Sequence, residues 1–547
     1  MKKSLYILGV GIALLMSSCS SSWLDQHPGG STITEEQYYA MDDVMEGTVV
    51  GIMAQMNDFG NHDWFGQRSI DMYGDFTSGD MAMKNSNAGW FMTDEMGQSY
   101  SRRGTLWSYY YNVVRACNKA LNVVHMTVNQ EQLTDEEYII TNGEAFYYMA
   151  EILALRGWAY DNLQKWFCYT PKYIKESLGE SLDEHKSIPL YTEADTKNDT
   201  TYGNDLSSVT DVNVRIEEDL NNAIYYFDIL ESAGYSRSMV QEINSEVAKL
   251  FLAYHYLNAE DYVDAAEMAE DFLKNTSLQV LDTANLLTTG FAESMNNNWV
   301  WGQDITVQTT TCLGSFYGQC DIYSYSYAAQ GDIKGIDEEL YKSIPAWDQR
   351  KHWWNNTYDQ WENTKDTKGR ESIKWAPDGK FYSPTIQAKV GYKRKAEGYE
   401  LDRDWLCDQV FMRVELGYII AAEAYARQEG KLDEAIAKLR GITDHRYLNA
   451  DKAAYEDYLL TLKDQQSVLA AIKYNWRVEF WGEGFGLQTL RRYGEEVTLG
   501  TNHKNRTKVN PNDPAQLRSY TFEIPSGEQY YNPHLHNDNT ELEEDME

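Results

Sequence analysis

The chain reads as mainly α: a scaffold of helical hairpins carrying a loop-rich part with a few short strands. Three observations predict this class. Apolar residues recur at helical spacing in long runs over 102–126, 143–167 and 212–230. Two later stretches, 245–257 with 261–273 and 408–428 with 432–446, each fold back through a short turn and read as antiparallel helix pairs. Between them, 58–100 and 275–405 lose the helical period and collect Gly, Asn, Ser, Asp and aromatic residues, which is loop composition.

Taken in order, the first eighteen residues are a secretion signal. Lys2 and Lys3 give its positive end, and Leu5 to Met16 an apolar run too short to span a bilayer. Met16-Ser-Ser-Cys19 puts small residues before a thiol, the order lipoprotein processing uses, so Cys19 is expected to be acylated and to become the N-terminus. Residues 19–33 read as anchor and linker, and 34–547 as a single domain. Thr34 with Gln37 forms a capping box opening a helix to about Asn57. No later segment is long and apolar enough to cross a membrane.

The run 102–126 carries Leu106, Tyr110, Val113, Val114, Cys117 and Leu121 on one stripe. In 143–167 the small residues Ala150, Ala154 and Gly157 permit close helix contact. In the first hairpin Ala248, Phe251, Tyr254 and Leu257 face Tyr262, Ala265, Ala266 and Ala269. This exchange of large for small resembles tetratricopeptide packing, although no fixed repeat of ~34 residues recurs. Trp299-Val-Trp301 alternates as a short strand. Near the end, Trp476, Phe480 and Leu490 are suited to burial, yet Arg477, Glu479, Glu483, Arg491 and Arg492 lie among them. Buried charge is costly unless paired, so Arg/Glu pairs should pin this segment to its neighbours. Gly482, Gly484 and Gly486 should end the helix and bring backbone close to something.

Composition narrows function. Against 48 Lys+Arg stand 84 Asp+Glu, a net charge of -36 that repels nucleic acid. The 41 Tyr and 16 Trp exclude a disordered acidic chain and suit sugar faces, which stack on rings. Besides Cys19 there are Cys117, Cys168, Cys312, Cys320 and Cys407; Cys312 and Cys320 are free to pair or to stay reduced. No thiolate zinc motif, metalloprotease motif, phosphate loop or nucleophile elbow occurs, and no cofactor is indicated. Glu479 and Glu483 read as salt-bridged scaffold, not as an acid/base pair. Candidate ligand contacts are rings and acids on the irregular segments: Trp64, Tyr73, Asp75, Asp80, Trp90 and Phe91 in the first, Trp299, Trp301, Tyr317, Tyr323 and Tyr325 in the second.

A series of motifs, from Leu24-Asp25 and Pro28 through Ala422-Glu423-Ala424 to Glu483-Gly484, Arg492-Tyr493-Gly494 and Asn532-Pro533, resembles the SusD/RagB family of nutrient-binding lipoproteins of Bacteroidetes outer membranes. Leu24, Asp25, Pro28, Thr34, Glu36 and Tyr38 match its mature start. Tyr160, Leu163, Pro189 and Leu190 follow, then Arg413, Glu415, Ala422-Glu423-Ala424 and Arg440. Glu483-Gly484, Leu490, Arg492, Tyr493 and Gly494 fit the Glu-Gly-x-Arg…Asp-Leu-x-Arg-aromatic-Gly signature, except that Gly486 replaces its Arg and Thr489 its Asp. Ile524-Pro525 and Asn532-Pro533 match the close. The resemblance implies a cell-surface glycan-binding protein, lipid-anchored and non-catalytic, that serves a SusC-like TonB-dependent transporter. The sequence leaves two other classes open: a protein- or peptide-binding scaffold or adhesin, and a glycoside hydrolase.

Overall fold

The structure, a computed structural model, describes residues 44–56, 60–83, 100–197, 203–286, 297–305, 334–355 and 408–532 apart from Ser238, with shorter pieces between them. Residues 48–547 group as one compact unit; of the separate unit 1–47, only the start of the first helix is described. Cys19, the capping box at Thr34, Trp90, Cys312, Tyr323, Tyr325 and Cys407 lie outside the described residues.

The principal helices are α1 (Val44–Gln55), α2 (Gln67–Ser78), α3 (Tyr100–Thr127), α4 (Gly143–Phe167) and α5 (Val209–Ser232). After them come α6 (Ser245–Ala259), α7 (Tyr262–Asn275), α8 (Val414–Ala426), α9 (Leu432–Thr443), α10 (Gln465–Glu479), α11 (Gly486–Tyr493) and α12 (Ser526–Tyr531). From α3 to α9 each helix packs on the next, so the scaffold is a row of antiparallel helices. Small residues set the spacing. A Cβ on Gly417 of α8 would lie 2.6 Å from the Phe272 ring of α7, and only glycine permits that approach. The tight turn between α6 and α7 uses Glu260 in the left-handed region, φ 66°.

Three strand pairs of interest are antiparallel: β1 (Met81–Ala82) with β5 (Gly335–Ile336), β2 (Lys186–Pro189) with β3 (Leu206–Ser208), and β4 (Trp299–Gln303) with β6 (Gln409–Arg413). Two expectations need correction. The segment 58–100, read as loop, contains α2. Every residue of α2 is buried, but the helix is only twelve residues long and rich in Gln, Ser, Asp, Gly and Thr, so its composition reads as loop. The helix expected from Asp408 is strand to Arg413 and helix from Val414, because Val410 and Met412 pair with Gly302 and Trp301.

Candidate functional site

Around the glycine-rich turn between α10 and α11 lies a dry cluster of charge. Arg413 reaches Glu415 at 3.0 Å, Glu479 at 3.1 Å and Glu483 at 3.0 Å. Arg446 bonds Glu479 at 2.7 Å and Glu415 at 3.0 Å, and Arg350 bonds Glu479 at 3.1 Å and Asp348 at 2.6 Å. All these side chains are buried. Burial alone would raise the Glu479 carboxyl, but Arg446, Arg413 and Arg350 hold it well below the usual range. A second group joins Arg492 to Glu423 at 3.0 Å, with Trp476 donating its indole N–H to the same carboxylate at 2.7 Å. The expected Arg/Glu pairing is thus present. Arg440, matched to the family pattern, is instead paired at the surface with Asp444, and Arg446 fills the interior place.

Helix α2 is keyed into the same turn. Gly482 and Gly484 have φ 77° and 89°, which aims the turn's amides at α2. Gly482 and Gly486 donate their N–H groups to the Asp75 carboxylate at 2.6 and 3.1 Å. Arg68 donates to the Gly482 carbonyl at 2.7 Å. Asp80 pairs with Arg477 at 2.6 Å. Burial and then the neighbouring Asp80 push the Asp75 carboxyl up to about 8. This cluster holds segments together; its carboxylates are buried and taken up by arginines and backbone amides.

Most of the expected ligand rings prove to be core. Tyr73 is buried on α2, its hydroxyl donating to the Asp63 carbonyl, and Asp80 is taken by Arg477. Trp299 and Trp301 are 2% and 3% exposed on β4. Trp301 meets Trp158 and Phe251 edge-on and donates to the Gln241 carbonyl at 3.0 Å. Each large ring buried this way contributes about 1.5–3 kcal/mol to the fold, so none is free to stack on a ligand. Phe91 packs among Phe65, Tyr73 and Phe76. The backbone of Tyr317 lies in the short helix Phe316–Cys320, and Cys320 is buried.

Trp64 differs. It is half-buried in a tight turn, where Gly60 and Asn61 both donate to its carbonyl at 3.0 Å. A Cβ on Gly60 would sit 2.6 Å from Trp64 Cδ1, so the glycine lets the indole approach the backbone closely. Its edge meets Tyr109 at 5.7 Å and 81°. Both rings line an open groove of about 1200 Å³. The outer face of α3 forms the floor with Ser108, Asn112, Arg115 and Lys119, and Pro525–Glu528 at α12 form the far wall. The Tyr109 hydroxyl is buried at this groove with no partner among the described residues. A flat ring beside hydroxyl, amide and guanidinium groups can stack on and hydrogen-bond a polyhydroxylated chain.

The α3 contributors went unread because the sequence draws attention to the opposite, apolar stripe of that helix. The polar stripe at Ser108, Asn112, Arg115 and Lys119 was the available signal. Among the described residues no group of three His, Cys, Asp or Glu is placed to hold a metal ion, and no helix is long and apolar enough to cross a membrane.

Comparison with known proteins agrees with this architecture. Residues 22–257 match the model of a SusD-like family described as starch-binding and associating with outer membrane. A SusD-like carbohydrate binding protein from Bacteroides vulgatus superposes with TM-score 0.67 at 20% identity, covering 90% of this chain and 96% of its own. The fold is SusD-like. A SusD superfamily protein from Bacteroides thetaiotaomicron gives TM-score 0.67 at 18% identity over 90% of this chain and 98% of its own. One from Bacteroides fragilis gives 0.64 at 18%, over 91% and 100%. No curated protein matches. The SusD-like signature at 483–494 therefore corresponds in this chain to the turn and helix that the buried ion pairs secure.

Proposed function

We propose that this protein is a cell-surface glycan-binding lipoprotein that delivers oligo- or polysaccharide to a SusC-like TonB-dependent transporter. The observation that carries the binding part is the groove at Trp64. Its volume of about 1200 Å³ exceeds that of an ordinary small-molecule pocket and suits several sugar units. The SusD-like fold, with a carbohydrate binding protein among its structural neighbours, supports the same ligand class. Trp90, Tyr317 and Tyr323 stay in the proposed surface on the strength of their residue type and surrounding composition. Anchoring through acylated Cys19 and partnership with the transporter follow from the signal sequence and the family resemblance. No bond-breaking role is proposed, since Glu479 and Glu483 are enclosed by arginines.

Affinity electrophoresis of the mature chain through gels containing single polysaccharides tests this reading. A retarding glycan should be found, and Trp64→Ala should reduce the retardation. Retardation unchanged by that substitution would remove the groove from the site. A protein held back by peptides and by no glycan would favour the scaffold class. Incorporation of labelled palmitate, lost in Cys19→Ala, tests the anchor.

A further inference from the structure

From Met96 to Gln130 the chain runs without a single Asp or Glu, where its overall acid content would place about five. Within that run lies α3, which carries Arg102, Arg103, Arg115 and Lys119. Arg103 is paired with Glu523 at 2.9 Å. Arg115 and Lys119 are exposed, stand one helical turn apart and both line the groove. Neither makes an ion pair with a described residue.

For Arg115 this is exceptional. It is the only arginine with a described side chain that has neither a hydrogen bond nor an ion pair among the described residues. Arg237 and Arg506, which also lack an acid partner, spend their guanidinium groups on backbone carbonyls. Like charges one turn apart destabilise a helix, and an acid nearby would relieve them. Among the described residues of a chain with 84 acids, none supplies that relief at the groove floor. The groove's one acid, Glu528, stands on the far wall, where burial raises its carboxyl above the usual range.

We infer that the groove takes an anionic glycan, a sugar chain bearing carboxylate or sulfate oxygens that Arg115 and Lys119 contact while Trp64 stacks on a ring. This names the ligand class of the site proposed above and rests on that reading. The net charge of -36 does not forbid it. At physiological salt, exposed charges beyond about 8 Å are largely screened, so the two cations in contact range decide. A guanidinium fork matches the geometry of either oxyanion.

The test uses the mature chain, its Arg115→Ala/Lys119→Ala double variant and Trp64→Ala, titrated calorimetrically with polygalacturonate, chondroitin sulfate and neutral amylose. At least one polyanion should bind about tenfold or more tighter than amylose. The double variant should remove that advantage, as should raised salt, and Trp64→Ala should weaken every glycan that binds. The two polyanions tell carboxylate from sulfate. Amylose binding that is lost in Trp64→Ala but indifferent to the double variant, with no polyanion preference, overturns the anionic class and leaves the glycan site standing. Glycan binding of either kind untouched by Trp64→Ala overturns both. Single-stranded DNA bound as tightly as the best glycan, and equally sensitive to the double variant, reduces the effect to charge alone and also overturns the inference. Thermal melts of both variants should match the parent, since all the charged positions changed are exposed.

Discussion

The knot around Glu479 and the groove at Trp64 use the same residue types to opposite ends. In the knot, Arg350, Arg413 and Arg446 converge on carboxylates with every charge answered and water excluded. In the groove, Arg115 and Lys119 have no ion-pair partner among the described residues and stand on an open face. A guanidinium is scaffold where its partners are supplied by the chain and recognition surface where they are withheld. Residue type alone does not separate the two; satisfaction does.

Breaking the knot should have the largest effect. Glu479→Gln leaves three buried guanidinium groups short of an acid and should cost about 3–5 kcal/mol, read as a lower denaturation midpoint. A loss below about 1 kcal/mol would mean that water reaches the cluster.

Next comes Asp75→Asn, in which an amide N–H₂ faces a backbone N–H of the glycine turn. We expect a loss of about 1–3 kcal/mol. Its pH dependence sharpens the contrast. Folded, Asp75 keeps its proton up to about pH 8; unfolded, it releases it near the ordinary 3.8. Over that window the unfolded state binds fewer protons, so the stability from this group is full below pH 4 and lost as pH rises through 8. The gap between parent and variant should therefore narrow toward pH 8. A gap independent of pH would show Asp75 charged throughout.

Trp64→Ala should weaken glycan binding by about 1–2 kcal/mol, some tenfold in affinity, with little change in melting temperature. Smallest of all, Arg115→Ala should alter stability by no more than about 0.5 kcal/mol. A larger loss would make Arg115 part of the scaffold and erase the distinction between the two regions.

Much of the scaffold was legible because its helices are long runs of apolar and small residues at helical spacing. Gly143–Phe167 and the hairpin at 245–275 fall where the period places them. Helix α2 was hidden because Gln, Ser, Asp, Gly and Thr over twelve residues read as loop, although every one of them is buried. The pairing of Glu479 and Glu483 with arginine was readable from the cost of burying charge. The identity of Arg350 and Arg446 was not, since those partners arrive from 129 and 33 residues away. Among the aromatics, composition pointed to rings on irregular segments without showing which segments turn inward. Trp299 and Trp301 sit on a strand covered by α6, whereas Trp64 sits on a turn at the groove.

Gly486 illustrates how a departure from a shared pattern becomes locked in place. Where the SusD signature has arginine, this chain's backbone presses against α2: a Cβ there would lie 2.6 Å from Ser78 Oγ, 2.7 Å from Asp75 Oδ1 and 2.9 Å from Asp80 Oδ2. Installing the signature's arginine by a single substitution would wedge the two helices apart before its charge found a partner. Consensus engineering of this chain should therefore treat positions 75, 78, 80 and 486 as one inheritable unit, exchanged together or left alone.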